Sequence, residues 1–332
     1  MSDDRTTGPA AGQAGSAEGA GQRPAEPPAR FDEDRRHRYL AGLSGCAAFP
    51  LGRDFVKVEG PDSFSYLQGQ LSQDLAPLGP GASTWSLLLS PKGKLVAALR
   101  VTRLGEDSFL LDGDEGTGAP IVERLARFKL RSRLDISAMP WKAVALRGDR
   151  LPGASSLSGA PGHLLLPAAW GAVPGSDLVG DDPGYPEGVE RWDADLAEAL
   201  RIETGTPRFG AELSEDVIPA EADLVERYVS FTKGCYTGQE LVARIDSRGS
   251  NVPRRLRGLV FGPASDPTAR PGTELFVEGR SAGTLTSVGW CPRLDGFAGL
   301  GLLRRAAQPG AQVTTGDPEG PPAEVRELPL VP

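Results

Sequence analysis

Glycine and proline set the limits on this chain: they number 43 and 30 among 332 residues, roughly twice the usual share. A chain punctuated so often cannot sustain long helices, so its core must be gathered from short elements joined by turns. The punctuation is uneven. Residues 1–30 are rich in Gly, Ala and Pro and hold no large aliphatic side chain after Met1. They cannot bury enough surface to offset the entropy of ordering and read as a disordered tail, with a partner-binding arm as the alternative. Structure is expected to begin near Phe31–Leu43, and the tail is bounded at 1–38. A second dense stretch, 150–188, reads as a long surface excursion broken by one short strand at Leu164–Leu166.

The scarce residues exclude whole classes of chemistry. Only two His (His37, His163) and three Cys (Cys46, Cys235, Cys291) are present. A His-rich metal site is unavailable, no metal is assigned, and a Ser-His-Asp triad would need one of those two imidazoles. No two cysteines stand in C-x-x-C spacing, which excludes zinc ribbons and thioredoxin-like motifs. Three scattered cysteines make no disulfide framework, so a reducing, cytoplasmic setting is expected. A formal charge of −8 argues against direct nucleic-acid binding but allows a local basic pocket. With no run of about 18 apolar residues and no signal-peptide core, no membrane association is expected.

Hydrophobic residues make up 39%, enough for a sizeable core in two or three domains. Gly52–Gly60 alternates as a strand. Pro61-Asp-Ser opens a helix with Phe64, Leu67, Leu71 and Leu75 on one face. Strands are expected at Thr84–Leu89 and Leu95–Thr102, joined by the Ser90–Gly93 turn, and again at Ser108–Asp112. Ile121, Leu125 and Phe128 mark a helix, Trp141–Leu146 a strand, and a further helix runs from Asp193 to Gly205. This order is α+β, without the strict alternation of a doubly wound sheet. The last 75 or so residues read as short strands at 255–261, 274–277, 283–288, 299–303, 312–315 and 323–327, which suggests a small barrel or sandwich.

The densest information lies in Lys233-Gly-Cys-Tyr-Thr-Gly-Gln-Glu240. Thr237 is placed to cap a helix with Glu240 as its reciprocal partner, and Tyr236 with Leu241 can form a hydrophobic staple. Gly234 and Gly238 permit a tight turn or a close backbone approach. Cys235 would then lie just before a helix start, beside Lys233, the setting in which thiols become reactive. The plain alternative is a small residue that fits its loop.

K-G-C-Y-T-G-Q-E resembles the signature of the YgfZ family of folate-binding proteins, relatives of the T-protein (aminomethyltransferase) of the glycine cleavage system. Gly60–Asp74, Leu88–Gly93, Leu200–Pro207, Val288–Pro292 and Leu328–Leu330 resemble further family segments in the expected order. The resemblance implies a T-protein-like three-part α+β fold: two lobes (39–250) around a central folate-binding opening, and a C-terminal β-barrel (251–332). It implies tetrahydrofolate, or a one-carbon derivative, as cofactor. Glu203 matches a T-protein position that hydrogen-bonds the pterin, as a carboxylate can accept two bonds from adjacent N–H donors. The alternative for Glu203 is a solvated last-turn residue, at the unfavourable end of the helix dipole. Lys233 and Arg244 are candidates for the folate glutamate tail, and ordinary surface charge is their alternative. Tyr236 and Gln239 join them as cofactor-binding candidates. Gln68, Gln70 and Asp74 either line the opening or face solvent.

One departure bears on the chemistry. Where the T-protein hairpin reads Gly-Gly-Ile-x-Asp-Asp, this chain has Gly93-Lys-Leu-Val-Ala-Ala98. Ala97 and Ala98 can neither take a proton nor stabilise charge on a folate nitrogen. The resemblance therefore implies a folate-dependent accessory factor for iron–sulfur cluster assembly or repair, with Cys235 as its reactive residue. Its partners would be iron–sulfur proteins or assembly factors, since one thiolate cannot hold a cluster. The alternatives are a folate-dependent one-carbon transferase using other residues and a thiol redox sensor. Cys46 and Cys291 read as structural.

Overall fold

The computed structural model describes residues 29–153, 162–247, 251–262 and 269–331. Most of the expected tail, 1–28, lies outside the described residues. Helix α1 (Glu33–Ser44) opens inside the segment bounded as tail at 38, because Asp32 accepts the Arg35 N–H at 2.8 Å and caps it. Its Tyr39 stacks on Trp192 at 4.8 Å between centroids.

The first lobe is an antiparallel sheet of β2 (Arg53–Glu59), β3 (Ser83–Leu89), β4 (Leu95–Gly105), β5 (Ser108–Asp114) and β6 (Asp135–Met139), in the order β3-β4-β5-β2-β6. Strand alternation gives it two faces. One face carries Val56, Ala97, Leu99, Val101 and Leu111 against α2 (Ser63–Gln70) and α3 (Gly118–Phe128). The helix expected to reach Leu75 stops at Gln70 because Leu71 turns extended and bridges to Leu88. The other face carries Phe55 and Leu110, which meet Ala143, Leu166 and Val179 of the second sheet.

That second sheet, β10-β1-β7-β9-β8, uses β1 (Ala47–Leu51), β7 (Lys142–Arg147), β8 (Leu164–Pro167), β9 (Gly175–Gly180) and β10 (Glu190–Arg191). The 150–188 stretch thus supplies two strands. The sequence signals only β8, since the Gly175-Ser-Asp start of β9 reads as loop. Helix α4 (Ala194–Thr204) lies beside it, capped by Asp193 and ended by Gly205 at φ 66.

Strands β11 (Arg254–Phe261), β12 (Glu274–Val277), β13 (Arg280–Cys291), β14 (Gly296–Arg304), β15 (Gln312–Thr315) and β16 (Pro322–Arg326) form a closed barrel. It is filled by Leu259, Phe261, Leu275, Leu285, Phe297 and Val313. Its outer face adds Leu256, Ala298, Leu300 and Leu302 to a core that contains Leu87, Leu89, Ile202 and Leu213 of the lobes. The chain is therefore an α+β, three-part fold with a C-terminal barrel.

Candidate functional site

The three parts meet around a cavity of about 920 Å³, within the size range of small-molecule sites. Strands β3 and β4 contribute Trp85 and Ala98, the second sheet Phe49 and Arg147, α4 Glu198 and Arg201, and the barrel Arg255 and Arg257. Trp170 and Tyr228 add further aromatic surface. The wall is thus flat and aromatic in places and charged in others.

Behind it runs a buried charge network across the interface of the two sheets. Arg100 and Asp112 sit opposite each other on β4 and β5 and pair at 2.9 Å. Arg53 pairs with Asp112 and Asp114 at 2.7 Å. Asp177 of the second sheet takes both Arg100 and Arg147 at 2.9 Å. Burial pushes the Asp112 carboxyl up, yet the Arg100 and Arg53 guanidinium groups outweigh it and hold the group below the usual carboxylate range. Burial dominates at Arg147 and lowers it despite Asp177. Arg147 is fully buried, stacks on Trp170 at 4.7 Å and leaves Nε and Nη2 without a hydrogen-bond partner among the described residues. Such a guanidinium edge in a cavity wall suits a carbonyl or carboxylate oxygen.

The signature loop lies apart from this wall. It docks on the β3–β4 hairpin through two glycines: a Cβ at Gly238 (φ +85) would meet the Ser90 carbonyl at 2.7 Å, and one at Gly93 (φ +75) would meet Leu241 at 2.5 Å. Thr237 N–H donates to the Gly69 carbonyl at 3.1 Å. Lys233 Nζ donates to the carbonyls of Gln68, Leu71 and Gln73 at 2.7, 2.8 and 2.9 Å. A cation at a helix C-terminus is favourable, although partial burial lowers this amine to about 8. Cys235 is held exposed on this anchored loop.

Several sequence expectations change here. Helix α5 (Gln239–Ser247) starts at Gln239, because the left-handed Gly238 breaks the register that would make Thr237 its cap. Gln239 reaches back instead, its Oε1 accepting the Tyr236 N–H at 3.2 Å. Gly234 has open space around it. Tyr236 is buried in the shared core, Arg244 pairs with Glu240 one turn away, and Lys233 is occupied by carbonyls. Glu203 is fully buried and does not line the cavity. Its carboxylate accepts from Tyr39 Oη at 2.6 Å, Arg293 N at 3.0 Å and Arg293 Nε at 2.5 Å. Those three donors tie it to α1 and to the barrel. Gln68 and Asp74 bond to each other at 2.7 Å, and Gln70 accepts from Arg124. All three shape the end of α2 and lie outside the cavity wall. Of the two alanines, Ala98 lines the cavity while Ala97 faces the α2 side.

Comparison with known proteins agrees with this architecture. Residues 254–331 match the glycine cleavage T-protein C-terminal barrel domain. The aminomethyltransferase T of the Bartonella henselae glycine cleavage system superposes with a TM-score of 0.75 at 23% identity, over 89% of each chain. The tRNA-modifying protein YgfZ of Serratia proteamaculans is 30% identical over 254 residues, 70% of this chain and 76% of that one. This chain belongs to the YgfZ family. The mitochondrial iron–sulfur cluster assembly factor IBA57 of Mus musculus is also similar, 28% identical over 280 residues and 76% of each chain.

In this YgfZ-family chain, sequence reasoning missed the cavity wall itself. Arg53, Arg147, Asp114 and Trp85 carry no motif. The charges behind that wall do leave a signal, a lone charge inside an apolar strand, as in Leu99-Arg100-Val101 or Leu111-Asp112. Among the described residues no group of His, Cys, Asp or Glu is arranged to hold a metal, and no helix is long and apolar enough to cross a membrane.

Proposed function

We propose that this protein binds tetrahydrofolate, or a one-carbon derivative, in the central cavity and acts as an accessory factor in iron–sulfur cluster assembly or repair. The observation that carries the reading is the composition of the cavity wall. Trp85, Trp170 and Tyr228 offer flat faces to a pterin and a benzoyl ring, and Arg147 offers unpaired buried donors to an oxygen. Arg208 and Arg255 supply cations for carboxylates. Bound folate supplies a carrier for one-carbon units; the chain's own residues bind and orient it. Ala98 puts a methyl group where the T-protein has an acid, so the alternative of an aminomethyl-type transferase lacks its proton-handling group at that wall.

Cys235 is the residue we assign to contact with a cluster, a sulfur species or a partner protein. It is exposed while the two other thiols are not: Cys291 is buried and Cys46 half-buried. The similarity to an iron–sulfur cluster assembly factor supports this direction. Calorimetric titration should show tetrahydrofolate binding to the wild type and, nearly unchanged, to Cys235→Ala. The same variant should fail to restore iron–sulfur enzyme activity in a strain lacking the protein. Absence of folate binding by the wild type would sink the cavity assignment, and full rescue by Cys235→Ala would remove the thiol from the mechanism.

A further inference from the structure

The turn after α3 carries a leucine where local structure favours another residue. Helix α3 ends at Phe128, and the chain passes through Lys129 into Leu130, whose φ of 44 lies in the left-handed region. Glycine or asparagine is the usual occupant of that place at a helix end, and a leucine there is strained. Burial of the side chain would offset the strain. Leu130 is instead 89% exposed, against 43% for Leu40 and 53% for Phe231, so neither backbone nor packing gives a reason for leucine here.

Cations flank it. Arg127, Lys129, Arg131 and Arg133 fall within seven residues of a chain whose net charge is −8. Lys129 reaches Asp135 at 3.5 Å and Arg133 reaches Asp62 at 3.3 Å, both at the surface, where such pairs are weak. Arg127 and Arg131 are exposed and stand in no ion pair among the described residues. The base beneath is firm. The Arg124 guanidinium covers the Phe128 ring at 4.1 Å and donates to the Leu89 carbonyl at 3.0 Å and to Gln70 Oε1 at 3.1 Å. Thr237 of the signature loop donates to the same Gln70 oxygen at 3.4 Å. Helix α3 and the loop of Cys235 are thus both tied to the end of α2.

We propose that Leu130 and the cations around it form the docking surface for an acidic partner protein, whose apolar pocket takes the Leu130 side chain. For the partner's class, an iron–sulfur protein or assembly factor served by Cys235, the inference rests on the reading above. The leucine contributes apolar burial only once a partner covers it. The cations set the direction of approach, because an acidic partner is repelled by most of a chain of this charge and attracted here. A single leucine is a small anchor for a bilayer. Phe128, the one aromatic residue of the stretch, is half-buried beneath Arg124 and offers no platform for stacked bases.

The test begins in cells, with a benzophenone amino acid in place of Leu130 and the light-induced adduct identified by mass spectrometry. The adduct should be with an acidic iron–sulfur protein or assembly factor, and it should vanish in Arg127→Glu/Arg131→Glu. Against that partner, purified, Leu130→Gly should bind about tenfold more weakly, the scale of one leucine's burial. The charge reversal should slow association about tenfold at low salt and much less at high salt. Leu130→Gly also separates docking from folding, since glycine suits a φ of 44. Its urea midpoint should equal or exceed that of the wild type, while its rescue of iron–sulfur enzyme activity in a strain lacking the protein falls. Full rescue by Leu130→Gly where Cys235→Ala fails overturns the docking surface and leaves the thiol reading standing; full rescue by both overturns the two together. An adduct only between two copies of this chain, or no protein adduct, also overturns it. So does binding to phosphatidylserine vesicles or to single-stranded RNA that Leu130→Gly abolishes, which would assign the surface to a membrane or a nucleic acid.

Discussion

Lys233 shows how a residue in a signature can hold the shape of the loop that carries it. Its ammonium gathers three carbonyls at the end of α2, so it ties the loop carrying Cys235 to the first lobe. Lys233→Met should destabilise the protein by about 2 kcal/mol, the scale of hydrogen bonds from a charged donor. Urea unfolding measures this, and a variant as stable as the wild type would show the contacts to be idle. Burial lowers the amine from 10.5 to about 8, so between those values the unfolded chain holds the extra proton. The group's contribution to stability therefore rises with pH through that window, and the gap between wild type and Lys233→Met should widen from pH 8 to 10. The letters K-G-C-Y-T-G-Q-E announced an unusual loop and the need for Gly238. They did not announce the carbonyl cage, because its members lie at the end of α2 and just beyond it, far away in sequence.

At the scale of elements, the strands and turns were largely legible. The expected strands at 274–277 and 312–315 match β12 and β15, and the helix from Asp193 to Gly205 matches α4 with its caps. What the letters hid was the meeting of two sheets. Arg100 and Asp112 on one and Arg147 and Asp177 on the other are lone charges until the sheets face each other. Sequence periodicity cannot supply that register. The network makes a pH-dependent joint. Asp112 titrates below its unfolded value because Arg100 and Arg53 outweigh burial, so its stabilising contribution is complete above about pH 4 and is lost as pH falls further. Asp112→Asn should cost about 3 kcal/mol near neutrality, since it takes one of two carboxylate partners from each of two buried guanidinium groups. Urea midpoints followed from pH 7 to 3 should show the two proteins converging at the acid end. A constant gap would mean that the charge on Asp112 is not what holds the sheets.

At the scale of the molecule, the lobes and barrel share one core, so they should not unfold separately. Leu256, Leu300 and Leu302 of the barrel pack with Leu87, Leu89 and Ile202 of the lobes, and a barrel on its own would expose that apolar face to water. Polar ties reinforce the joint. Glu203 holds Tyr39 of α1 and Arg293 of the barrel, and its backbone carbonyl accepts the Leu330 N–H at 2.8 Å. Glu212 links Arg201 of α4 to Ser287 and Thr286 of β13 at 2.6–2.8 Å. Heating should therefore give a single cooperative transition, and tetrahydrofolate should move all of it upward, by about 2.7 kcal/mol at a hundred times its dissociation constant. Glu203→Ala should lower the stability by about 3 kcal/mol, because it removes the buried carboxylate to which Tyr39 and Arg293 donate. Below that transition the variant should keep wild-type folate affinity, since the carboxylate lies outside the cavity wall. Two outcomes would overturn this account of how the parts are joined. One is a barrel that melts on its own. The other is a Glu203→Ala protein of wild-type stability that no longer binds folate, which would return Glu203 to the ligand and take it out of the joint.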